Sequence, residues 1–452
     1  MCTLSEQLAA LVEMGPGSLE RFAATLDPAW IQEALEATGT ASCRRRKFPA
    51  EQALWLVIGM GVFADRSIRD VVDHLSLVLP KAHGLAPSAI SQARYRLGEE
   101  PLLWLFHRTC DEWAVPAVNG TWRGLELYGI DGSNLRVQDT AENAEYFGRP
   151  GGRNGKEDSG YPQIRLAMLM HLSAHLVVDA SVGPYDLSEH ALTEFLVPSI
   201  PNNSLTLVDR GLHSYRTFAQ ILDKGENRHF LLRLRAGLQV KILEVCDDGS
   251  ALAELHAPPS LRRDSPGLRE SIRVRVIDYH NDQGEPGRLI TSLLDPTAYP
   301  AREIIDLYHE RWELELAFDE IKTHMRERAF CLRSKSPQGV YQEFWGLMLT
   351  YNLVRREMYL VAQAHGVPPT RVSFRSSLLW IHTFFLLAWR TAPGNVPQRL
   401  ADLHSSLDVL ILPPRRSKRR YPRQVKTKMS NYPRNRGKRA KTQGIDVPSD
   451  SA

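Results

Sequence analysis

From Leu125 onward the apolar residues leave the three-and-four spacing of helices and gather into short β-rich runs closed by Gly, Pro, Asn or Asp. LELYGID, RLAMLMHLS, AHLVVDASVG, LTLVDRG and HFLLRLRA read as strands, and SEHALTEFLVP and SYRTFAQILDKG between them as helices. The order is three strands, helix, strand, helix, strand. A chain of that order buries its apolar faces by laying helices on a sheet, which predicts an α/β core with a mixed sheet over residues 119–236.

The flanking segments follow other rules. Residues 1–118 space apolar side chains helically in SLERFAATL, PAWIQEALEATG, FPAEQALWLVIGMGVF, SIRDVVDHLSLVL and SAISQARYRLGEEPLLWLFHRTCDEW. Residues 237–300 alternate QVKILEV, ESIRVRVIDY and GRLITSLL with Gly/Pro/Asp loops, a β-rich insertion. Helices resume at Ala301, first over 301–335 to complete the core and then over a C-terminal region, 336–412. At 452 residues the chain exceeds one ordinary hydrophobic core, consistent with this division.

RSIRDVVDHLSLVLPKAHGLAPSAISQARYRLG reads as two helices about a Pro/Gly turn, the second capped by Ser88. As a helix-turn-helix it would enter the major groove with Gln92, Arg94 and Arg96 as contacts. A helical bundle with surface arginines satisfies the same spacing. The net charge of +4 is segregated, since residues 415–441 carry thirteen Lys and Arg and no acid. This tail, within 413–452, has too few aliphatic residues for a core and is expected to be disordered, with nucleic-acid phosphates as its natural partner and a merely solubilising terminus as the alternative.

The longest apolar run, ALWLVIGMGVF, holds 11 residues, short of the about 18 to 20 that span a bilayer, so no membrane association is expected. The N-terminus lacks a basic start and a small-residue cleavage site, and the five cysteines form no CxxC pair. A cytoplasmic protein is expected.

Two aspartates, Asp131 after LELYGI and Asp209 after LTLV, close apolar strands. Desolvating a carboxylate there is costly without a cation or donors, although a turn aspartate bonding its own backbone gives the same pattern. A third acid comes from YHERWELELAFDEIK. At about 100° per residue, Tyr308, Arg311, Glu315 and Lys322 share one stripe, while Asp306, Glu310, Glu313 and Glu320 fall on a far side expected to face solvent. Asp319 borders the stripe as a possible rival to Glu315. An Arg311–Glu315 pair at i,i+4 would explain part of this pattern, worth only about 0.2 to 0.5 kcal/mol.

These residues reach a resemblance. Tyr308, Arg311, Glu315 and Lys322 match the Y-(2)-R-(3)-E-(6)-K signature of the insertion sequence 4 family of bacterial DDE transposases at every position. DGSNLRVQDTAENAEYFG, with Asp139, Thr140, Asn143, Phe147 and Gly148, resembles the family's first-aspartate region, and VDRGLHS its second. The likeness covers roughly residues 40 to 380. It implies an RNase H-like core with a β-rich insertion, preceded by an all-helical DNA-binding region and followed by C-terminal helices.

It further implies that Asp131, Asp209 and Glu315 hold two divalent metals, Mg²⁺ with Mn²⁺ as the alternative. Cleavage at insertion-sequence ends and transfer of the freed 3′-hydroxyl into target DNA would follow, with Tyr308, Arg311 and Lys322 on DNA phosphates. The implied partners are double-stranded terminal inverted repeats and target DNA, with a homodimer in the synaptic complex and association with the bacterial nucleoid. The family's base-stacking tryptophan is missing, because no Trp lies between Trp122 and Trp312, which leaves Tyr279 and Tyr299 as substitutes. A metal-dependent nuclease of the same fold and a catalytically silent regulator of transposition are the alternatives. His171, His175, His190 and His213 lack zinc spacing and read as ordinary histidines, and no Walker loop, GxSxG or dinucleotide fingerprint is present.

Overall fold

A computed structural model describes residues 26–41, 48–74, 86–113, 121–150, 160–234, 240–265, 267–280, 284, 286–325, 331–390 and 410–413. The stretch SLERFAATL lies almost wholly outside them. The turn of the expected helix-turn-helix and the basic tail lie outside them too.

Five helices come first: α1 (Pro28–Ala37), α2 (Ala50–Val62), α3 (Ile68–His74), α4 (Pro87–Leu97) and α5 (Glu100–Glu112). The core then runs β1 (Glu126–Val137), α6 (Ala141–Phe147), β2 (Gln163–His171), β3 (Leu176–Pro184), α7 (Glu189–Leu196), β4 (Ser204–Val208), α8 (Tyr215–Asp223) and β5 (Arg228–Arg233). The insertion holds β6 (Lys241–Val245), β7 (Ala251–His256), α9 (Pro259–Asp264), β8 (Ser271–His280) and β9 (Pro286–Thr291). A helical rod follows as α10 (Ala301–Tyr308), a 3₁₀ turn (His309–Arg311), α11 (Trp312–Asp319) and a π turn (Glu320–His324). β10 (Cys331–Leu332), α12 (Pro337–His365) and α13 (Phe374–Arg390) complete it.

The strands form one sheet in the order β3-β2-β1-β4-β5-β9-β8-β7-β6, with β10 also beside β1. β1 to β3 are antiparallel, and β4 and β5 run parallel to β1, which is the RNase H-like order. The insertion extends the sheet, because β9 pairs antiparallel with β5 from Leu231↔Thr291 to Arg233↔Leu289. It also reaches the helical rod. Asp248, paired with the fully buried Arg275, accepts the Ala301 N–H at 3.0 Å and so satisfies a free donor at the start of α10.

The N-terminal helices share a core with the sheet and α12. α2 crosses α12 at glycines. A Cβ on Gly346 would stand 2.8 Å from both the Val57 carbonyl oxygen and its Cγ1, so only Gly permits this approach. Thr350 seals the crossing by donating to the Ile58 carbonyl at 3.2 Å.

α4 begins at Pro87 with Ala86 at the cap position, so Ser88 lies inside the helix and does not cap it. Arg94 also departs from expectation. It is 9% exposed, and its guanidinium donates to Ser334 Oγ at 3.0 Å and the Gly339 carbonyl at 3.2 Å, which ties α4 to the start of α12 and removes Arg94 from any groove-reading set. Gln92 and Arg96 are exposed, and Tyr95, on the same outer face, is 71% exposed.

Gly346→Ala is expected to lower the melting temperature. Its overpacking cost of about 1 to 3 kcal/mol against a backbone oxygen outweighs the about 1 kcal/mol that alanine adds to helix propensity. Thermal denaturation of the purified variant checks this, and an unchanged or higher Tm would show that the helices can separate freely.

Candidate active site

Strand register places the first two acids. β1 and β4 pair in parallel from Glu126↔Ser204 to Ile130↔Val208, and β4 ends there. The next residue on each strand is an aspartate, Asp131 and Asp209, so the carboxylates emerge side by side. Asp131 does not close its strand as expected, because β1 continues to Val137 with Asp131 opposite Met168. The gap left by β4 opens that position to one side.

Asp131 accepts the Gly132 N–H at 2.7 Å. Burial pushes its carboxyl up to about 6, reinforced by the charges of Asp209 and Glu189 and opposed by the Gly132 N–H and Arg311. Asp209 accepts the Gly211 N–H at 2.9 Å and so caps the short turn Arg210–Leu212.

Glu315 comes from α11, whose depth is set by Leu314 against Gly129. A Cβ at Gly129 would lie 2.7 Å from Leu314 Cδ1, so the glycine of LELYG admits the helix to the sheet. Arg311 links the acids. Its Nη1 lies 3.1 Å from Asp209 and its Nη2 3.0 Å from Glu315. Lys322 donates to Ser133 Oγ and stands 5.5 Å from the Phe318 ring centroid. Burial draws its ammonium below the usual lysine range, and Asp131 opposes that. Tyr308 is 9% exposed, its phenol pushed up to about 12 by burial, with Arg311, Asp209, Tyr279 and Arg233 nearby. All six residues from the core motifs therefore meet at one place.

The far side of the helix is not the solvated acidic face expected. Glu310 and Asp306 are exposed, but Glu313 is 7% exposed and bonded to His175, and Glu320 reaches Arg355. Charge alone misled here, because partners on β2–β3 and α12 compensate the buried acids. Asp319 is exposed and accepts Thr323 Oγ1 at 2.8 Å, with His324 3.3 Å away, so it is no rival to Glu315.

Neither substitute tyrosine is presented for stacking. Tyr279 is buried against Gly287, and Tyr299 stacks on Trp122 at 5.7 Å. His171 and His175 are core residues, whereas His190 and His213 line a cleft of about 660 Å³ beside the insertion. The element DT..N...FG proves structural. Thr140 caps α6, and the buried Asn143 donates to the Gln138 and Ser334 carbonyls, both at 3.1 Å.

Among the described residues, no three His, Cys, Asp or Glu stand close enough to hold a metal ion as they are. The guanidinium between Asp209 and Glu315 accounts for their spacing. The donors themselves suit a hard cation: three carboxylates, one desolvated and two already sharing a positive charge.

Because the folded-state pKa of Asp131 is raised, ionisation costs stability, an effect absent below the usual carboxylate pKa and complete above about 6. In chelator, Asp131→Asn should therefore raise Tm by roughly 2 to 4 °C at pH 8 and by much less at pH 4. Scanning calorimetry at the two pH values tests this; equal shifts at both would remove the charge explanation.

Comparison with known proteins gives the family of the chain. Residues 16–107 match the family model of the insertion element 4 transposase N-terminal region, and residues 122–353 that of the transposase DDE domain. The transposase InsG for insertion sequence element IS4 of Escherichia coli (strain K12) is 35% identical over 410 residues, 90% of this chain and 92% of that protein. The putative transposase InsZ of the same organism is 32% identical over 293 residues, 64% of this chain and 93% of InsZ. A piggyBac transposase synaptic complex with hairpin DNA aligns over 94% of this chain and 89% of its own, at 12% identity and a TM-score of 0.45, below the level at which a shared fold follows. Enzymes with this DDE domain depend on divalent metal. With its RNase H-like strand order and the matching models on both sides of residue 115, the chain belongs to the insertion sequence 4 family of DDE transposases.

Proposed function

We propose that this DNA transposase cleaves at the ends of its insertion sequence and joins the freed 3′-hydroxyl to target DNA, using Asp131, Asp209 and Glu315 as the acids. The observation that carries this is the β1–β4 register, which sets Asp131 beside Asp209, together with the arginine that joins Asp209 to Glu315. The three carboxylates would hold two divalent ions, Mg²⁺ or alternatively Mn²⁺. Bound there, the ions supply Lewis-acid charge to the phosphate oxygens and make water a stronger nucleophile at neutral pH.

The chain's own residues then bind and orient. Arg311 exchanges its two carboxylates for a DNA phosphate, which its planar fork also fits, and so leaves Asp209 and Glu315 free as ligands. Lys322, partly desolvated and held by Ser133, gives a second phosphate contact in a site where charge is weakly screened. Tyr308 supplies a neutral phenol beside them, kept protonated by burial. On α4, Gln92 and Arg96, joined by the exposed Tyr95, face outward to read terminal-repeat DNA. The basic tail adds sequence-independent phosphate contacts. Synapsis of two ends calls for a homodimer working on the nucleoid.

Asp131→Ala, Asp209→Ala or Glu315→Ala should each reduce Mg²⁺-dependent cleavage of DNA bearing the element's own ends by on the order of 10²-fold or more, while DNA affinity changes by less than about tenfold. Wild-type-like cleavage by one variant removes that residue from the site. A second expectation concerns metal alone. Without DNA, Arg311→Gln should bind Mn²⁺ several-fold more tightly than wild type by electron paramagnetic resonance titration, since no guanidinium competes. Weaker binding would mean instead that Arg311 orients the carboxylates for the ion.

A further inference from the structure

Behind the catalytic helix lies a buried network of ionisable groups that the reaction does not touch. Arg355 of α12 donates through Nη2 to His175 Nδ1 at 2.6 Å and also to Glu320 Oε2. His175 Nε2 lies 2.8 Å from Glu313 Oε2. Because Nδ1 accepts from arginine, the imidazole is neutral and its Nε2–H donates to Glu313. Tyr351 OH donates to Glu320 Oε2 at 3.1 Å. Arg355 and His175 are each 2% exposed, Tyr351 is fully buried, and His175 holds a left-handed backbone at φ 57°.

A core helix does not need such a network to be stable, since apolar side chains fill the same space without desolvating charge. What directional bonds add is register. Glu313 stands two residues before Glu315, and Glu320 two before Lys322. Each anchor on the back of the rod therefore sets the rotation of one functional side chain on the front. The π turn Glu320–His324 strengthens the point, because its wider winding shifts Lys322 relative to an α-helical continuation and Glu320 begins it.

We infer that Arg355 and His175 are positioning residues for DNA cleavage, holding Glu315 and Lys322 in register through Glu313 and Glu320. This rests on the reading of Glu315 and Lys322 given above. Leu314 against Gly129 fixes how deep the helix sits, and the network fixes how far it is turned.

The test uses full-length protein and element-end DNA. Arg355→Lys keeps the positive charge but cannot reach His175 and Glu320 together. The double variant His175→Leu/Glu313→Leu replaces half the network by apolar side chains and leaves Arg355 balanced by Glu320. Expected for both is a folded protein whose kcat falls at least tenfold while KM for end DNA stays within twofold. Glu313→Gln, which still accepts the imidazole N–H, should retain kcat within threefold. Wild-type kcat in the double variant, or a loss of activity that only follows the loss of folded protein, would overturn the inference. Glu315→Ala in parallel separates the two levels: if it cleaves normally the assignment of Glu315 fails, whereas if it is inactive and the double variant is not, positioning alone fails.

Discussion

Asp131 and Asp209 are forced side by side by the pairing of β1 with β4, and like charges in a desolvated place repel, so the surrounding structure must supply compensation. It does so in two ways. Backbone donors from Gly132 and Gly211 each take one carboxylate oxygen, and Arg311 joins Asp209 to Glu315. None of this fully relieves Asp131, whose carboxyl remains raised. Such residual strain marks a place shaped for a ligand more than for stability.

The geometry of that place depends on elements far apart in sequence. The insertion caps the start of the rod through Asp248, Gly129 admits Leu314, and α12 holds the rod's back. α12 also carries α2 at the Gly346 crossing and α4 through Arg94. A helix that presents Gln92, Tyr95 and Arg96 outward is thus fixed to the same beam as the rod that carries Glu315. Arg94 and the Gln342 amide, which donates to the Arg94 and Gly98 carbonyls, tie α4 directly to α12, so the two helices share one frame.

Much of this was legible. The five core strands and two of their helices stand out because apolar runs change period at Leu125, and both aspartates follow such runs. Tyr308, Arg311, Glu315 and Lys322 share a stripe at helical spacing and resemble the family signature, and the structure brings them together. What the sequence hid had physical causes. A uniform 100° per residue missed the 3₁₀ and π turns of the rod. The habit of placing charges in solvent failed for Glu313 and Arg94, whose partners lie 138 residues or more away along the chain. β7, with six residues, and α6, with seven, are too short to show a period. Tyr279 and Tyr299 looked available only because Gly287 and Trp122 could not be seen against them.

The rod resolves a conflict faced by any buried helix that carries polar groups on one face. Its front carries a carboxylate, a guanidinium, a phenol and an ammonium, and although Tyr308 is buried and Lys322 lies on the Phe318 ring, apolar contact of that kind does not fix rotation. Its flanks are apolar, and apolar contact is nondirectional, so Leu314, Ala317 and Phe318 resist withdrawal better than turning. Directional bonds on the opposite face supply what the flanks lack, and they must be buried to stay dry and strong. The alternation E-L-E at 313–315 and E-I-K at 320–322 writes that division directly, as bonded acid, core residue and front-face polar group, once in α11 and once in the π turn.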